Sequence, residues 1–191
     1  MVKAIIFDCY GVLVTESYLA FKAKYFGDDQ DKYDEAARLM DLNNEGRLDF
    51  SQFLVMIGEM AGLTAQQVLH ELDGNSPNIE LFNYINELKK DYQLGVLSNI
   101  GTGVLEQLLT EDQIALFDVL ALSSEMGVIK PYKEIYLQTA AMLEVDPNQC
   151  LFIDDRQGNV DGAIQAGMQS IRYVSFDQVK SDIESLLNSD N

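Results

Sequence analysis

The stretch KAIIFDCYGVLVT, residues 3–15, joins a short apolar run to a carboxylate. Ala4–Phe7 is apolar throughout and has the length of a buried strand. Asp8 follows it directly, and a second apolar run begins after Gly11. Because a strand of this kind has no structural need for a terminal carboxylate, Asp8 is the first candidate for a functional residue.

Four further apolar runs have the length and residue types of strands, and helical patterns separate them. The predicted strands are 4–7, 94–97, 119–122, 150–153 and 170–174, and the predicted helices between and after them are 81–90, 104–109, 132–143, 160–166 and 176–187. Strands that alternate with helices indicate a parallel sheet with helices on both faces. The predicted fold class is therefore α/β.

Residues 15–79 interrupt this alternation with helical patterns alone. The predicted helices of this segment are 18–26, 33–40, 51–60 and 65–72. We interpret the segment as a small all-helical cap, inserted after the first strand and lying over the carboxyl edge of the sheet. The predicted organisation is a catalytic core of residues 1–14 and 80–191 with a helical cap of residues 15–79.

Composition and charge restrict the partners. The chain has 191 residues, 47% of them hydrophobic, and a formal net charge of −18. This field repels nucleic acid and anionic lipid, so we expect neither as a partner.

Only Cys9 and Cys150 are present, which gives no disulfide framework. With no apolar stretch near the roughly 20 residues of a membrane span and no signal-peptide pattern, we expect a cytoplasmic protein.

Small polar or acidic residues follow four of the five predicted strands. They are Asp8, Ser98 with Asn99, Ser123 with Ser124, and Asp154 with Asp155. In open α/β sheets, ligands bind at the carboxyl ends of the strands. The four placements therefore predict a site at this edge of the sheet.

Lys130 precedes a proline and a helical pattern, which predicts that it is the N-cap of that helix. A lysine is a poor N-cap, and its charge opposes the helix dipole. Its position is better explained if it faces anions, although a side chain that bends into solvent is the alternative.

Four motifs together resemble those of the haloacid dehalogenase-like (HAD) hydrolase superfamily. In chain order they are FDCYGVLV (7–14), LSN (97–99), SSEMGVIKPYKEIY (123–136) and LFIDDRQGNVDGAIQAGM (151–168). The resemblance covers essentially the whole chain. It implies a Rossmann-like core, with the 15–79 insertion as the helical cap of this superfamily.

The resemblance also implies a role for each matching residue. Asp8 would be the nucleophile, and Mg²⁺ would be held by Asp8, the Tyr10 carbonyl and Asp154. Ser98, Asn99 and Lys130 would hold the phosphoryl group of the substrate, with Lys130 also balancing the acidic cluster. Asp155 would orient metal-bound waters or Lys130, and Asn159 would brace the Asp154–Asp155 loop or cap the helix that follows. These roles agree with the residue chemistry, since carboxylates form aspartyl-phosphate and Mg²⁺ prefers oxygen ligands.

Tyr10 departs from the phosphatase pattern of the superfamily, in which this position is an acid/base aspartate. A phenol with an ordinary pKa near 10 does not act as a base at neutral pH. The metal site keeps its backbone carbonyl, but loss of a positioned acid/base typically costs about 10²–10⁴-fold in rate. We therefore expect a Mg²⁺-dependent phosphatase that acts slowly on a small phosphorylated metabolite.

Two alternatives stay open at this point. An Asp-x-Tyr start is similar to the 2-haloacid dehalogenases of the same superfamily, and Arg38 lies where such an enzyme would bind the substrate carboxylate. A solvated charge beside Asp34 and Glu35 is the simpler interpretation of Arg38. The third interpretation is a binding protein that has lost turnover. The Asp154–Asp155 pair favours the phosphatase, because two acidic groups without a cation would repel an anionic substrate.

Overall fold

The computed structural model describes residues 1–101 and 103–189. Its sheet has five parallel strands in the order β3-β2-β1-β4-β5. The strands are β1 Ala4–Phe7, β2 Gln93–Ser98, β3 Val119–Leu122, β4 Cys150–Asp154 and β5 Gln169–Arg172. The predicted parallel α/β sheet is confirmed, with strand ends displaced by at most two residues.

Helices cover both faces of this sheet. In chain order the helices are α1 Ser17–Phe26, α2 Gln30–Asn44, α3 Phe50–Ala61, α4 Ala65–Leu72, α5 Ile79–Leu88, α6 Leu105–Leu108, α7 Glu111–Ile114, α8 Ser123–Met126, α9 Lys133–Met142, α10 Gln157–Ala166 and α11 Phe176–Ser189, with a 3-10 turn at Pro147–Gln149. Residues of β1 alternate between the faces, as the period of two of a strand requires. Ile5 and Phe7 pack with α5 and α11, whereas Ala4 and Ile6 pack with α9 and α10.

The strand register aligns the carboxyl ends of the three central strands. Phe7 of β1 lies opposite Val96 of β2 and Ile153 of β4. The residues that follow therefore emerge together at one edge of the sheet. Asp8 sits at the centre of this edge because β1 is the middle strand.

Helices α1–α4 have an apolar core of their own. Tyr18, Phe21 and Phe53 are buried in it and make ring contacts with one another or with neighbouring aromatic residues. This separate core supports the predicted division into a cap of residues 15–79 and a core of residues 1–14 and 80–191, which stays a prediction.

The predicted N-cap role of Lys130 is wrong. Helix α9 begins at Lys133 and its N-cap is Tyr132, which has extended backbone. Lys130 lies three residues outside the helix because its main chain is bound by the side chain of Asn99, across the sheet edge. A long-range pair of hydrogen bonds thus overrides the local signal of the following proline.

None of the helices within the described residues combines the length and the apolar character that a membrane crossing needs.

Candidate active site

Asp8 lies directly after β1, and three donors converge on one of its carboxylate oxygens. Its Oδ1 accepts hydrogen bonds from the N–H of Cys9 at 2.6 Å and from Ser98 Oγ at 3.0 Å. The Nζ of Lys130 lies 2.8 Å from the same oxygen. The side chain is buried, and burial raises the pKa of Asp8 to about 8, with the charge of Lys130 opposing this rise. The three donors hold the carboxylate in place through Oδ1, and none of the three binds Oδ2.

Lys130 is a buried cation between two carboxylates. Its Nζ lies 2.8 Å from Asp8 Oδ1 and 2.7 Å from Asp154 Oδ2, and 5.3 Å from the ring centroid of Phe152. Burial alone would lower the pKa of Lys130, but the charges of Asp154 and Asp8 hold it above its ordinary value. The lysine therefore stays charged and offsets part of the negative charge at the sheet edge.

Asp154 ends β4 and is completely buried, with donors on both oxygens. Its Oδ1 accepts the Arg156 N–H at 2.8 Å, its Oδ2 accepts from Lys130, and Asn159 Nδ2 lies 3.0 Å from each oxygen. Burial acts to raise the pKa of Asp154, but Lys130 and these hydrogen bonds lower it below its ordinary value. Asp154 is thus held as a carboxylate.

The two asparagines predicted for the site hold its other members in place. Asn159 lies in the first turn of α10, whose N-cap is Arg156, so the alternative that Asn159 caps this helix is wrong. Both polar atoms of the Asn99 amide bind the main chain of Lys130. These contacts favour a positioning role for Asn99, and a direct contact of its side chain with a phosphoryl group stays a prediction.

The acidic residues at this edge fit a magnesium ion. Asp8, Asp154 and Asp155 each offer one carboxylate oxygen, and these oxygens lie within 4.8 Å of one another. Oδ1 of Asp155 is buried and has no hydrogen-bond partner among the described residues. Mg²⁺ prefers hard oxygen ligands and takes few carboxylates together with water and substrate phosphate. An unpaired buried oxygen beside two carboxylates is the arrangement that such a cation would complete.

Gly11 allows Asp155 to approach the loop after β1. Its φ is +79°, and a Cβ at this position would lie 2.6 Å from Cγ of Asp155. Only glycine combines this backbone conformation with the missing side chain. The glycine between the two apolar runs of the opening stretch therefore brings Asp155 against the loop that carries Asp8 and Tyr10.

A cavity of about 230 Å³ opens between this edge and the cap. The core contributes Asp8, Tyr10, Ser98, Asn99 and Lys130 to its walls. Its other polar and charged lining residues, which we did not predict from the sequence, include Glu16, Ser17, Lys22, Asp41, Asn43, Asn44, Asp73, Asn75, Gln107 and Arg156. For Lys22 a signal exists, because it lies in the apolar stripe that Tyr18, Phe21 and Tyr25 form along α1.

The sequence matches the family model of the haloacid dehalogenase-like hydrolases over residues 2–167. The chain belongs to this family. The match spans the cap and the first four strands of the sheet, and it confirms the resemblance carried by the four motifs.

Three proteins are similar to this chain in sequence or in structure. The D-ribitol-5-phosphate phosphatase of Bacteroides thetaiotaomicron is 26% identical, covering 99% of this chain and 100% of that protein. A HAD-like family hydrolase from Porphyromonas gingivalis has a structure with a TM-score of 0.79 and 30% identity, covering 98% of each chain. A HAD family enzyme from Bacteroides thetaiotaomicron, solved with magnesium and inorganic phosphate, has a TM-score of 0.76 and 20% identity, covering 92% of this chain and 96% of that one. The last comparison shows the fold alone. The D-ribitol-5-phosphate phosphatase, which matches this chain over its full length, favours phosphatase over dehalogenase activity.

Tyr10 of this HAD-like hydrolase is half-buried at the cavity wall. Burial raises the pKa of Tyr10, and the nearby Cys9, Glu16 and Asp8 raise it further. At neutral pH the phenol is therefore ionised even less than that of an exposed tyrosine and supplies no proton acceptor, which agrees with the expectation from the sequence.

Arg38 lies on the surface of the cap and does not line the cavity. Its guanidinium binds both carboxylate oxygens of Glu35, at 2.6 and 2.7 Å. The interpretation of Arg38 as a solvated helix charge is confirmed, and the carboxylate-binding arginine of a dehalogenase is not found at this position.

Proposed function

We propose that this HAD-like hydrolase is a Mg²⁺-dependent phosphatase, which acts on a small phosphorylated metabolite through an aspartyl-phosphate on Asp8. The arrangement around Asp8 carries this proposal. One oxygen is held by three donors, Lys130 balances the charge, and Asp154 and Asp155 converge beside it. This combination suits attack on a phosphoryl group, whose several negative oxygens need local positive charge.

In the first step, the free oxygen of Asp8 attacks phosphorus, and the bond from phosphorus to the leaving oxygen breaks. Ser98 and the Cys9 N–H hold the attacking carboxylate in place. Lys130 keeps its charge against Asp8 and Asp154 and can turn its remaining donor capacity toward the phosphoryl oxygens. In the second step, water attacks the phosphorus of the aspartyl-phosphate, which restores the Asp8 carboxylate and releases inorganic phosphate.

Magnesium would be held by Asp8, Asp154 and the Tyr10 carbonyl, with Asp155 at its side. When bound, it supplies the positive charge that a phosphoryl group requires in this acidic environment. A divalent cation among these carboxylates also favours their ionised forms, so it makes Asp8 a better nucleophile than burial alone allows.

The cavity indicates the substrate class. It is small, and its cap wall combines the Asn43 and Asn44 amides with Asp41 and Ser17, which suit hydroxyl groups. The full-length relative is a D-ribitol-5-phosphate phosphatase. We therefore propose a phosphorylated sugar or polyol rather than a phosphoprotein.

Tyr10 limits the reaction if no other group takes its place. The phenol can donate a hydrogen bond, but it does not protonate an alkoxide as readily as a carboxylic acid does. Phosphate esters with good leaving groups need little protonation, so p-nitrophenyl phosphate and acyl phosphates should react better than alkyl phosphates. A 2-haloacid would meet three carboxylates in this site. Arg38 does not line the cavity, so it is not placed to bind the carboxylate of such a substrate.

The test is phosphate release from a panel of sugar, polyol and acyl phosphates, measured with Mg²⁺ and with EDTA, beside halide release from 2-chloropropionate. We expect Mg²⁺-dependent phosphate release and no halide. Metal-independent halide release would support the dehalogenase instead. No turnover of any substrate would support a binding protein.

A further inference from the structure

Glu16 occupies the N-cap position of α1, but its side chain does not cap the helix. The N–H of Ser17 is instead bound by Asn75 Oδ1 at 2.9 Å. The side chain of Glu16 is 12% exposed, and its Oε1 accepts a hydrogen bond from the Arg156 guanidinium at 2.5 Å. Glu16 is therefore directed away from its own helix and toward the loop after β4.

One oxygen of Glu16 lacks a partner. Oε2 is buried and accepts no hydrogen bond from the described residues. Leaving a buried carboxylate oxygen unpaired is unfavourable, and most such atoms in proteins are satisfied by protein groups or by water. A donor from a ligand or a bound water would satisfy this one.

Glu16 lies at the candidate active site. It lines the same cavity as Asp8 and Tyr10. Burial is the main cause that raises the pKa of Tyr10 and of Asp155, and the charge of Glu16 adds to both. Its partner Arg156 follows the Asp154–Asp155 pair and donates its N–H to Asp154.

We propose that Glu16 is the general base that activates water for hydrolysis of the aspartyl-phosphate, in place of the aspartate that Tyr10 replaces. This inference rests on the proposed phosphatase function. The water oxygen forms a bond to phosphorus while Glu16 Oε2 takes one of its protons. The bond from phosphorus to the Asp8 oxygen breaks, and its electron pair restores the Asp8 carboxylate. Glu16 then releases the proton to solvent.

The two oxygens of the Glu16 carboxylate have different roles. Arg156 binds Oε1 and orients the side chain, while Oε2 has the free lone pairs that accept a proton. A base must reach the proton that it removes, directly or through one water. Oε2 is closed to solvent in this structure, so that water reaches it only when the Glu16 side chain turns into the cavity that Glu16 shares with Asp8.

The test uses Glu16→Gln, which keeps the shape of the side chain and a carbonyl oxygen for Arg156. With p-nitrophenyl phosphate and Mg²⁺, we expect a burst of p-nitrophenol that matches the enzyme concentration, followed by turnover about 10²–10⁴-fold slower than wild type. Acid-quenched samples should show phosphorylated Asp8 by mass spectrometry, whereas wild type should accumulate little of it.

Two further variants separate a base from a structural role. Arg156→Gln removes the same ion pair but keeps the carboxylate, so it should accumulate less phosphoenzyme than Glu16→Gln. Tyr10→Asp should restore hydrolysis to Glu16→Gln, because it supplies a second carboxylate that can take the proton of the water. Should Glu16→Gln fail to fold, Glu16→Asp, with a shorter carboxylate, should show the same accumulation in weaker form.

The outcomes separate this inference from the function on which it depends. Wild-type phosphate release with equal rates for Glu16→Gln overturns the role of Glu16 and leaves the phosphatase intact. Equal accumulation in Arg156→Gln and Glu16→Gln assigns a structural role and also overturns it. Absence of any wild-type phosphate release or phosphoenzyme overturns both proposals.

Discussion

The side-chain amide of Asn99 forms two hydrogen bonds with the main chain of Lys130. Its Oδ1 accepts the Lys130 N–H at 2.8 Å, and its Nδ2 donates to the Lys130 carbonyl at 3.0 Å. The two residues are 31 positions apart, and the pair joins the end of β2 to the segment before α9. These two hydrogen bonds fix the main chain of Lys130 and so place its buried ammonium group within reach of Asp8 and Asp154.

Asn99→Ala should therefore lower turnover more than substrate affinity. The variant leaves the Lys130 N–H and carbonyl without these partners, so the free energy of unfolding should fall by about 1–3 kcal/mol. We expect a reduced kcat with a small change in KM, measured by steady-state kinetics beside denaturant unfolding. Asn83→Ala, at an exposed position of α5, is the matched control and should change neither value. An unchanged kcat in Asn99→Ala would show that Lys130 is positioned by other contacts.

The error at Lys130 shows where sequence reasoning reaches its limit. Local patterns predict the strands well, because burial on both faces requires continuous apolar runs. They also predict that Asp8 and Asp154 meet, since parallel strands bring their carboxyl ends to one edge. They cannot predict that Asn99 removes Lys130 from the helix that follows, because that hydrogen-bond pair depends on the folded sheet.

The cap wall of the site was predictable only in part. Lys22 interrupts an apolar helical stripe, which is a recognisable signal. Glu16 carries no such signal, because a glutamate before a helix is ordinary and its pairing with Arg156 spans 140 positions of the chain. The proposed metal role of Asp155 also depends on Gly11, whose approach to that carboxylate appears only in the fold.

Asp8→Asn should abolish phosphate release. A neutral amide does not form the covalent phosphoryl intermediate, and no other described carboxylate accepts the same three hydrogen bonds. The measurement is phosphate release together with mass spectrometry of acid-quenched protein. Asp28→Asn, on the exposed cap surface, is the control and should behave as wild type. Turnover that persists in Asp8→Asn would place the chemistry on another residue.

Lys130→Met should destabilise the protein and make its stability depend on magnesium. The substitution leaves Asp8 and Asp154 facing each other without their shared cation, and breaking a buried ion pair in this way costs about 3–5 kcal/mol. Mg²⁺ should recover part of the loss, because it binds the folded carboxylates and not the unfolded chain. Thermal unfolding over a magnesium titration measures this, and the rise in Tm should be larger than for wild type. Equal rises in both proteins would contradict a cation site at Asp8 and Asp154.

Asp155→Asn should weaken magnesium binding without unfolding the chain. The amide keeps the side chain's size against Gly11 but removes a charge from the three-carboxylate cluster. Losses of about 10–100-fold in metal affinity are typical when a supporting partner is changed. Isothermal titration with MgCl₂ alone gives the affinity, and Asp161→Asn, at an exposed position of α10, is the control. Unchanged affinity would remove Asp155 from the proposed metal site.

Lys22→Met should raise KM for sugar and polyol phosphates while leaving kcat for p-nitrophenyl phosphate nearly unchanged. The Lys22 side chain is buried in the cavity wall, with its Nζ 4.3 Å from the ring centroid of Tyr33 and 5.6 Å from that of Tyr18. No carboxylate of the described residues lies within ion-pair distance of it, so its donors are free to bind the oxygens of a substrate.

Methionine keeps the length and the apolar stem of Lys22 and removes only the charge and the donors. The KM increase for a cavity-filling substrate should correspond to loss of a hydrogen bond from a charged group, about 1.5–3 kcal/mol or roughly 10–150-fold. Lys24→Met tests the same substitution on the same helix at an exposed position, where the lysine pairs with Glu71, and should leave KM unchanged. If both variants behave alike, the wall around Lys22 does not recognise the substrate, and the specificity of this hydrolase must reside on the core side of the cavity.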